Sequence, residues 1–178
     1  MTRYVALLGS INVGGNRLKM GELRTALEKH GFTNVATVVA SGNVLFDHSK
    51  AAGARLERQI EGIVKDEFGI DSFAAVRTKA EVREAVEDNP FTWDGEEKFV
   101  HTIFLEGELD RAEFEKFTAQ YDGPERLAPG SRSFFVDFRE GVARSKLDPA
   151  MRKAKPINSR ATARNIRSLR RILDKMDD

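Results

Sequence analysis

The 178-residue chain contains no cysteine, only 5 prolines and 1 tryptophan, and no long apolar run. The absence of cysteine excludes a disulfide framework, a thiolate zinc site and a cysteine nucleophile. No segment approaches the roughly 20 apolar residues that span a bilayer. The apolar stretch at residues 5–8 is too short for the core of a signal peptide. These absences predict a cytoplasmic protein that is not associated with a membrane.

The charges nearly cancel, but they are unevenly distributed. The 29 Lys and Arg residues face 28 Asp and Glu residues, for a net charge of +1. Residues 141–178 hold eleven of the basic and four of the acidic residues, a net charge of +7, so residues 1–140 carry −6. A basic region on an acidic body indicates either an anionic partner or an internal electrostatic contact. A solvated helix face explains the same residues equally well.

The first eighty residues alternate between strand and helix patterns. Short runs rich in apolar residues or in Val and Thr predict strands at 4–8, 34–40, 44–46 and 73–76, and apolar residues at helical spacing predict helices at 20–30 and 56–68. This β-α-β-β-α-β order is the ferredoxin-like signature. Two helices can bury their apolar stripes on one face of such a four-stranded sheet.

The same pattern recurs, less regularly, in the second half. Thr78 and Glu81 predict a capping box for a third helix, and Asp110 predicts the start of a fourth. Residues 99–105, 125–128 and 133–138 predict strands. From residue 147 onward the composition favours helix, interrupted at Pro156, and residues 163–176 form an amphipathic stripe.

We therefore predict an α+β fold of two ferredoxin-like subdomains, each with an antiparallel sheet, and an extra C-terminal helix. The predicted divisions are an N-terminal subdomain at 1–78, a helical connector at 79–97 and a C-terminal subdomain at 98–178 with the basic terminal helix.

The first candidate binding segment is the glycine-containing loop after the first strand. Asn12, Gly14 and Gly15 lie in this loop, and Lys19 follows at the start of the next helix. Glycines allow backbone N–H groups to converge on an anion, and a helix N-terminus adds partial positive charge. The spacing matches neither the Walker A pattern nor the dinucleotide fingerprint. A tight loop that requires positive φ is the alternative explanation.

Two further segments carry polar groups suited to an anion. They are the turn containing Ser41 and Asn43, and a C-terminal group made of Arg144, Ser145, Lys146, Thr162, Arg164 and Asn165. Arginine offers a planar fork to phosphate or carboxylate, lysine a point charge, and serine or threonine a hydroxyl. The alternatives are an ordinary hairpin turn for the first segment and a helix cap for Thr162.

Neither a metal site nor a cofactor is indicated. His30, His48 and His101 share no metal-ligand spacing. No pair of carboxylates is singled out for acid–base chemistry, so the residues do not decide whether the protein is an enzyme. The aromatic run around Phe134 and Phe135 is better explained by core packing than by base stacking.

The sequence resembles one known family. The run Ile11-Asn12-Val13-Gly14-Gly15-Asn16, followed by Lys19-Met20, Gly31-Phe32 and Ser41-Gly42-Asn43-Val44, resembles the bacterial domain-of-unknown-function 1697 family, and residues 144–147 and 162–165 look like its C-terminal motifs. The resemblance implies an arrangement of two ferredoxin-like subdomains and assigns no catalytic residue.

Three functional hypotheses remain open. The first is a binding module for a phosphate-bearing ligand, either a nucleotide or a nucleic acid, and it requires the glycine loop and the C-terminal basic residues to meet around one anion. The second is an enzyme that acts on a small anionic substrate. The third is a structural or protein-interaction domain.

Overall fold

A computed structural model describes residues 1–12, 14–39, 42–157 and 159–178, which form eight strands, six α-helices and one 3-10 turn at Val142–Arg144. The strands are β1 (Thr2–Gly9), β2 (Thr33–Thr37), β3 (Asn43–His48), β4 (Phe73–Thr78), β5 (Val100–Leu105), β6 (Arg126–Pro129), β7 (Ser133–Asp137) and β8 (Ala161–Asn165). The helices are α1 (Met20–Lys29), α2 (Ala54–Phe68), α3 (Lys79–Glu87), α4 (Arg111–Gln120), α5 (Leu147–Ala154) and α6 (Ile166–Met176).

The strands form two antiparallel sheets with the same topology. The first has the order β2-β3-β1-β4 and the second the order β6-β7-β5-β8. Each sheet is built from a β-α-β-β-α-β sequence of elements, and α6 follows as an additional C-terminal helix. The predicted α+β fold with two ferredoxin-like subdomains is confirmed.

The chain divides into two compact units. The first unit contains residues 1–83 and 170–178, and the second contains residues 84–169. The divisions therefore fall within α3 and within α6. The subdomain boundaries that the sequence indicates at residues 78 and 98 stay predictions.

The core of the first unit follows the helical periodicity of the sequence. Leu23 and Leu27 of α1 and Leu56 and Ile60 of α2 are fully buried in one apolar cluster with the facing side chains of the sheet, among them Phe46. Residues four apart lie on one face of a helix, so each helix buries one continuous stripe. The spacing of these apolar residues thus determines which face of each helix packs on the sheet.

Hydrogen bonds fix the start of two predicted helices. The backbone N–H of Thr78 donates to Glu81 Oε2 at 2.8 Å, and the backbone N–H of Glu81 donates to Thr78 Oγ1 at 3.2 Å. This reciprocal pair is the capping box that the sequence predicts. At α4, Asp110 Oδ1 accepts from the backbone N–H of Glu113 at 3.1 Å. Both predicted helix starts are confirmed.

The region after Pro156 differs from the helix that the sequence favours. Residues 161–165 form β8, which pairs with β5 in the register Ile103↔Ala163 and Thr102↔Arg164. Thr162 lies inside this strand and does not cap α6; Asn165 does, because its Oδ1 accepts from the backbone N–H of Ser168 at 2.8 Å. The open edge of β5 supplies backbone partners that outweigh the local helix preference.

A buried ion pair connects α2 to β4 in the first unit. The side chains of Glu57 and Arg77 are only 4% and 3% exposed, and Arg77 Nη1 lies 3.2 Å from Glu57 Oε1. The same carboxylate oxygen accepts from the backbone N–H of Val76 at 3.0 Å. Removing one member of a buried pair leaves the other charge in a low-dielectric site.

We expect Glu57→Ala to lower the free energy of unfolding by about 3–5 kcal/mol, measured by urea denaturation. Arg58→Ala on the exposed face of the same helix is the matched control and should change it by less than about 0.5 kcal/mol. Glu57→Ala combined with Arg77→Ala should cost less than the sum of the two single substitutions. Additive losses would contradict a buried pair.

Candidate ligand-binding site

The glycine loop and the turn before β3 lie at the same edge of the first sheet. Leu7 of β1 pairs with Asn43 of β3, and the backbone N–H of Leu8 donates to Gly42 O at 2.7 Å. Because β1 ends where β3 begins, the loop that contains Asn12 and the turn that contains Asn43 leave the sheet at the same edge. Ser41, the other predicted binding residue of this turn, lies outside the described residues.

Side-chain amides form hydrogen bonds within the loop and, separately, within the turn. Asn12 Oδ1 accepts from the backbone N–H of Leu18 at 2.9 Å, and Asn16 Nδ2 donates to Ser10 O at 3.0 Å. The amide of the buried Asn43 donates to the carbonyls at both positions 38 and 39, each at 3.1 Å. These contacts give all three asparagines a structural role.

The backbone of the loop explains its glycines. Gly14 and Gly15 have φ values of +56° and +94°, a conformation that side chains with a Cβ rarely adopt. A Cβ at either position would meet no heavy atom within 4 Å, so the requirement is conformational and not spatial. Lys19 is 86% exposed, and its ammonium lies 3.9 Å from Glu22. Anion binding by Gly14, Gly15 and Lys19 stays a prediction.

A cavity of about 410 Å³ lies between α5 and the sheet of the second unit. Most of its wall is apolar. The lining side chains include Ile103, Phe134, Val136 and Phe138 from the sheet side, and Leu147 and Met151 from α5. Val142, which is 52% exposed, also lines it.

The cavity exists because α5 is short. Its counterpart in the first unit, α2, has 15 residues, or about 22 Å of helix, and buries four large aliphatic residues along its length. In contrast, α5 has 8 residues, or about 12 Å, and Leu147 is its one buried residue. The second sheet therefore presents more apolar surface on this face than its second helix covers.

One end of the cavity carries a hydrogen-bonded cluster formed by Ser145, Glu125 and Tyr121, here called the serine cluster. The Ser145 hydroxyl donates a short hydrogen bond to the Glu125 carboxylate, and Ser145 Oγ accepts from the backbone N–H of Leu147 at 3.1 Å. The Tyr121 hydroxyl donates to the other carboxylate oxygen of Glu125 at 2.5 Å. Ser145 lines the cavity, whereas Glu125 lies behind it and is 8% exposed.

Within the serine cluster the pKa values of Glu125 and Tyr121 are shifted. Burial acts to raise the pKa of Glu125, but the hydrogen bonds from Ser145 and Tyr121 stabilise the carboxylate, and its pKa lies below the ordinary value of 4.5. Burial and the adjacent carboxylate both raise the pKa of the Tyr121 hydroxyl. At neutral pH the cluster therefore holds one negative charge, with both hydroxyls protonated.

The other end of the cavity is basic. Arg152 lines it near the end of α5, and Lys155 lines it directly after the helix. Arg152 Nε lies 2.9 Å from Asp148 Oδ2, one helical turn earlier. Basic residues at a helix C-terminus and an acidic residue in its first turn both interact favourably with the helix dipole. Along α5 the cavity wall thus changes from acidic and polar to basic.

The structure separates the predicted C-terminal binding residues. Ser145 lines the cavity, and the exposed Arg144 and Lys146 flank it in the chain. Thr162 also borders the cavity, although strand alternation directs its side chain, like that of Arg164, away from the face that carries Ala163 and the cavity-lining Ile103.

The contacts of Arg164 lie on that opposite face. Arg164 Nη1 donates to Thr162 Oγ1 at 2.8 Å and to Ala163 O at 2.8 Å, and burial lowers the pKa of Arg164 to about 10. Asn165 caps α6. Ligand binding by Arg164, Thr162 and Asn165 stays a prediction, as does any joint site with the glycine loop.

Several cavity residues escape inference from the sequence. Tyr121 and Glu125 precede Ser145 by more than one secondary-structure element, and no motif connects them. The spacing of Leu147 and Met151 is a helical signal, but it indicates only a buried face. Arg152 and Lys155 contribute to the basic C-terminal charge without being distinguished from their neighbours.

A second charged cluster in this unit is a structural tie. Arg126 contacts the buried Asp137 through Nη2 at 2.7 Å and the exposed Asp94 through the same atom at 2.7 Å. Its guanidinium also lies over the ring of Phe91, 4.7 Å from the centroid. These contacts fasten the segment before β5 to the edge strand β6, and they satisfy the guanidinium with protein groups.

The described residues contain neither a candidate metal site nor a candidate membrane-spanning helix. Within residues 1–12, 14–39, 42–157 and 159–178, no three His, Asp or Glu side chains are grouped so that they could hold a metal ion. None of the helices in these ranges has the length and apolar character needed to cross a membrane.

The serine cluster predicts a pH-dependent contribution to stability. Ser145→Ala removes a hydrogen bond to a buried carboxylate and should cost about 1.5–3 kcal/mol at pH 7. Because the folded protein depresses the pKa of Glu125, this contribution is fully present above pH 4.5 and is lost as the pH falls through the folded pKa. The stability difference between the wild type and Ser145→Ala should therefore shrink in acid, as measured by urea denaturation from pH 7 to pH 3.

The exposed Ser49 of the first unit provides the matched control. Ser49→Ala should leave the pH dependence of unfolding unchanged. A stability difference for Ser145→Ala that is constant across this pH range would show that Glu125 is not the partner of the serine.

Comparison with known proteins gives a family and a fold. The pattern of the DUF1697 family, described as a protein of unknown function, matches residues 1–135. The chain is also similar to the conserved bacterial protein SP0830 from Streptococcus pneumoniae, with a TM-score of 0.77 and 22% identity over 100% of this chain and 99% of that one. No curated protein matches it. The family match covers three quarters of the sequence, and the chain belongs to the DUF1697 family.

Proposed function

We propose that this protein is a binding module for a small amphipathic anion, a phosphate- or carboxylate-bearing molecule with an apolar body. The ligand lies in the cavity between α5 and the second sheet. The observation that carries the proposal is the cavity itself, whose volume of about 410 Å³ falls within the range of roughly 300–1,000 Å³ typical of small-molecule sites.

The lining supports an apolar ligand body. Ile103, Phe138 and Met151 present aliphatic, aromatic and thioether surface, with few polar groups between them. Burying apolar surface contributes about 25 cal/mol per Å², or about 0.8 kcal/mol for each methylene. A ligand that fills this space also replaces the contacts that the short α5 does not make.

The basic end supports an anionic head group. Lys155 follows the last turn of α5, where its ammonium can reach a charge at the rim while its aliphatic stem lies along the cavity wall. Arg152 adds a second positive charge one turn earlier, partly offset by Asp148. This polarity favours phosphate or carboxylate over a neutral head group.

A nucleic acid finds less support than a small molecule. Single-stranded nucleic acids stack their bases on exposed aromatic side chains. Phe134 and Phe135 are 3% and 5% exposed, which fits the core role that the sequence favours for them.

We expect alkyl carboxylates and alkyl phosphates to stabilise the full chain in a thermal-shift titration. Affinity should rise about 4-fold with each added methylene until the cavity is full, because each contributes about 0.8 kcal/mol. At a hundred times the dissociation constant, the ligand should stabilise the native state by about 2.7 kcal/mol. Decanol, which has the same apolar body without the charge, should bind more weakly than decanoate.

Two pairs of variants locate the site. Ala163→Leu adds volume on the cavity face of β8 and should weaken decanoate binding, whereas Ala119→Leu on the exposed face of α4 should not. Lys155→Ala should weaken binding of decanoate and leave that of decanol nearly unchanged. Equal affinity of wild type and Ala163→Leu for every probe would place binding elsewhere and refute the proposal.

A further inference from the structure

The hydroxyl of Ser145 has a defined hydrogen-bonding capacity towards the cavity. A serine oxygen carries one hydrogen and two lone pairs. Its hydrogen is donated to Glu125, and one lone pair accepts from the backbone N–H of Leu147 at 3.1 Å. A further partner of this oxygen must therefore be a hydrogen-bond donor.

The charges around Ser145 also favour a ligand group that donates a hydrogen bond. The Glu125 carboxylate behind it is negative at neutral pH, and its two oxygens accept from Ser145 and from Tyr121. Asp148, in the first turn of α5, is paired with Arg152, so Glu125 is the main negative charge beside Ser145. An anionic group would be repelled from this end, whereas the hydrogen of a hydroxyl would be attracted.

The two polar ends lie at opposite ends of α5. Ser145 precedes the helix and Lys155 follows it, so the 8 residues of α5, about 12 Å of helix, lie between them. On the sheet side the wall between them is apolar, with Ile103 and Phe138, whereas the α5 side also carries the ion pair of Asp148 and Arg152. A molecule that satisfies both ends must carry its two polar groups on opposite ends of an extended apolar body.

We propose that the ligand is bipolar, with an anionic group beside Lys155 and a hydroxyl group that donates to Ser145, joined by an apolar chain. The chemical class is that of ω-hydroxy carboxylates and their phosphate counterparts. A neutral hydroxyl suits this end better than an ammonium group, because a buried cation needs a carboxylate in direct contact with it, and Glu125 lies behind Ser145 and outside the cavity lining. This inference rests on the proposed function of the cavity.

The test compares decanoate with ω-hydroxydecanoate, which differ only in the terminal hydroxyl. Binding to the full-length protein is measured by isothermal titration calorimetry at pH 7, below the critical micelle concentration of both probes. We expect ω-hydroxydecanoate to bind roughly 2- to 10-fold more tightly, the effect of one neutral hydrogen bond. Without a protein acceptor, the hydroxyl would weaken binding, because its burial would be uncompensated.

Variants assign the preference to Ser145. Ser145→Ala should reverse it, so that decanoate binds more tightly, and Ser145→Thr, which keeps the hydroxyl, should restore it. Lys155→Ala should weaken both probes by the same factor and leave their ratio intact. Should Ser145→Ala fail to fold, Ser145→Cys replaces it, because a thiol sulfur is a weak acceptor and the preference should disappear.

The outcomes separate the two proposals. If decanoate binds but ω-hydroxydecanoate binds equally or more weakly, the bipolar ligand is refuted and the amphipathic-anion site stands. A preference for ω-hydroxydecanoate that survives in Ser145→Ala and Ser145→Cys also refutes it, because another acceptor is then responsible. If neither probe binds, both proposals fail.

Discussion

The structure of the second unit depends on a mismatch between a sheet and the helix that covers it. Both units place two helices on one face of a four-stranded sheet, but α2 provides 15 residues and α5 only 8. Apolar surface that no helix covers stays open to solvent, and leaving it exposed costs about 25 cal/mol per Å² relative to burying it. The cavity of about 410 Å³ is the direct consequence of the shorter helix.

The polar groups at one end of this cavity are held by hydrogen bonds to one another, which distinguishes it from a simple packing defect. Simple underpacking leaves an apolar void, whereas here Ser145 is held by Glu125 on one side and by a backbone N–H on the other. The hydrogen bonds of Ser145 and Tyr121 to Glu125 connect α4, β6 and α5 across three segments of chain. A carboxylate kept ionised by two donors orients the serine, and in the function proposed above the oriented serine would select the ligand group beside it.

Much of the fold was predictable from the spacing of apolar residues and from helix-capping residues, because both depend on local chemistry. The spacing of Leu23 and Leu27 reports the buried face of α1, and the box formed by Thr78 and Glu81 fixes the start of α3. By contrast, residues 161–165 carry no strand signal that outweighs their helix preference. They form β8 because β5 offers an unpaired edge, which is a property of the assembled sheet.

The sequence by itself determined the first β-α-β-β-α-β repeat and all of the second except its last strand, since these elements follow from side-chain type and near neighbours. It also placed Ser145 beside basic residues and indicated positive φ in the loop of Gly14 and Gly15. Only the tertiary structure decided which of the polar residues share a site. Strand alternation put Ser145 and Arg164 on opposite faces of one sheet, and folding brought Glu125 to a serine twenty residues away. Such contacts depend on register and helix length, which no short stretch of sequence encodes.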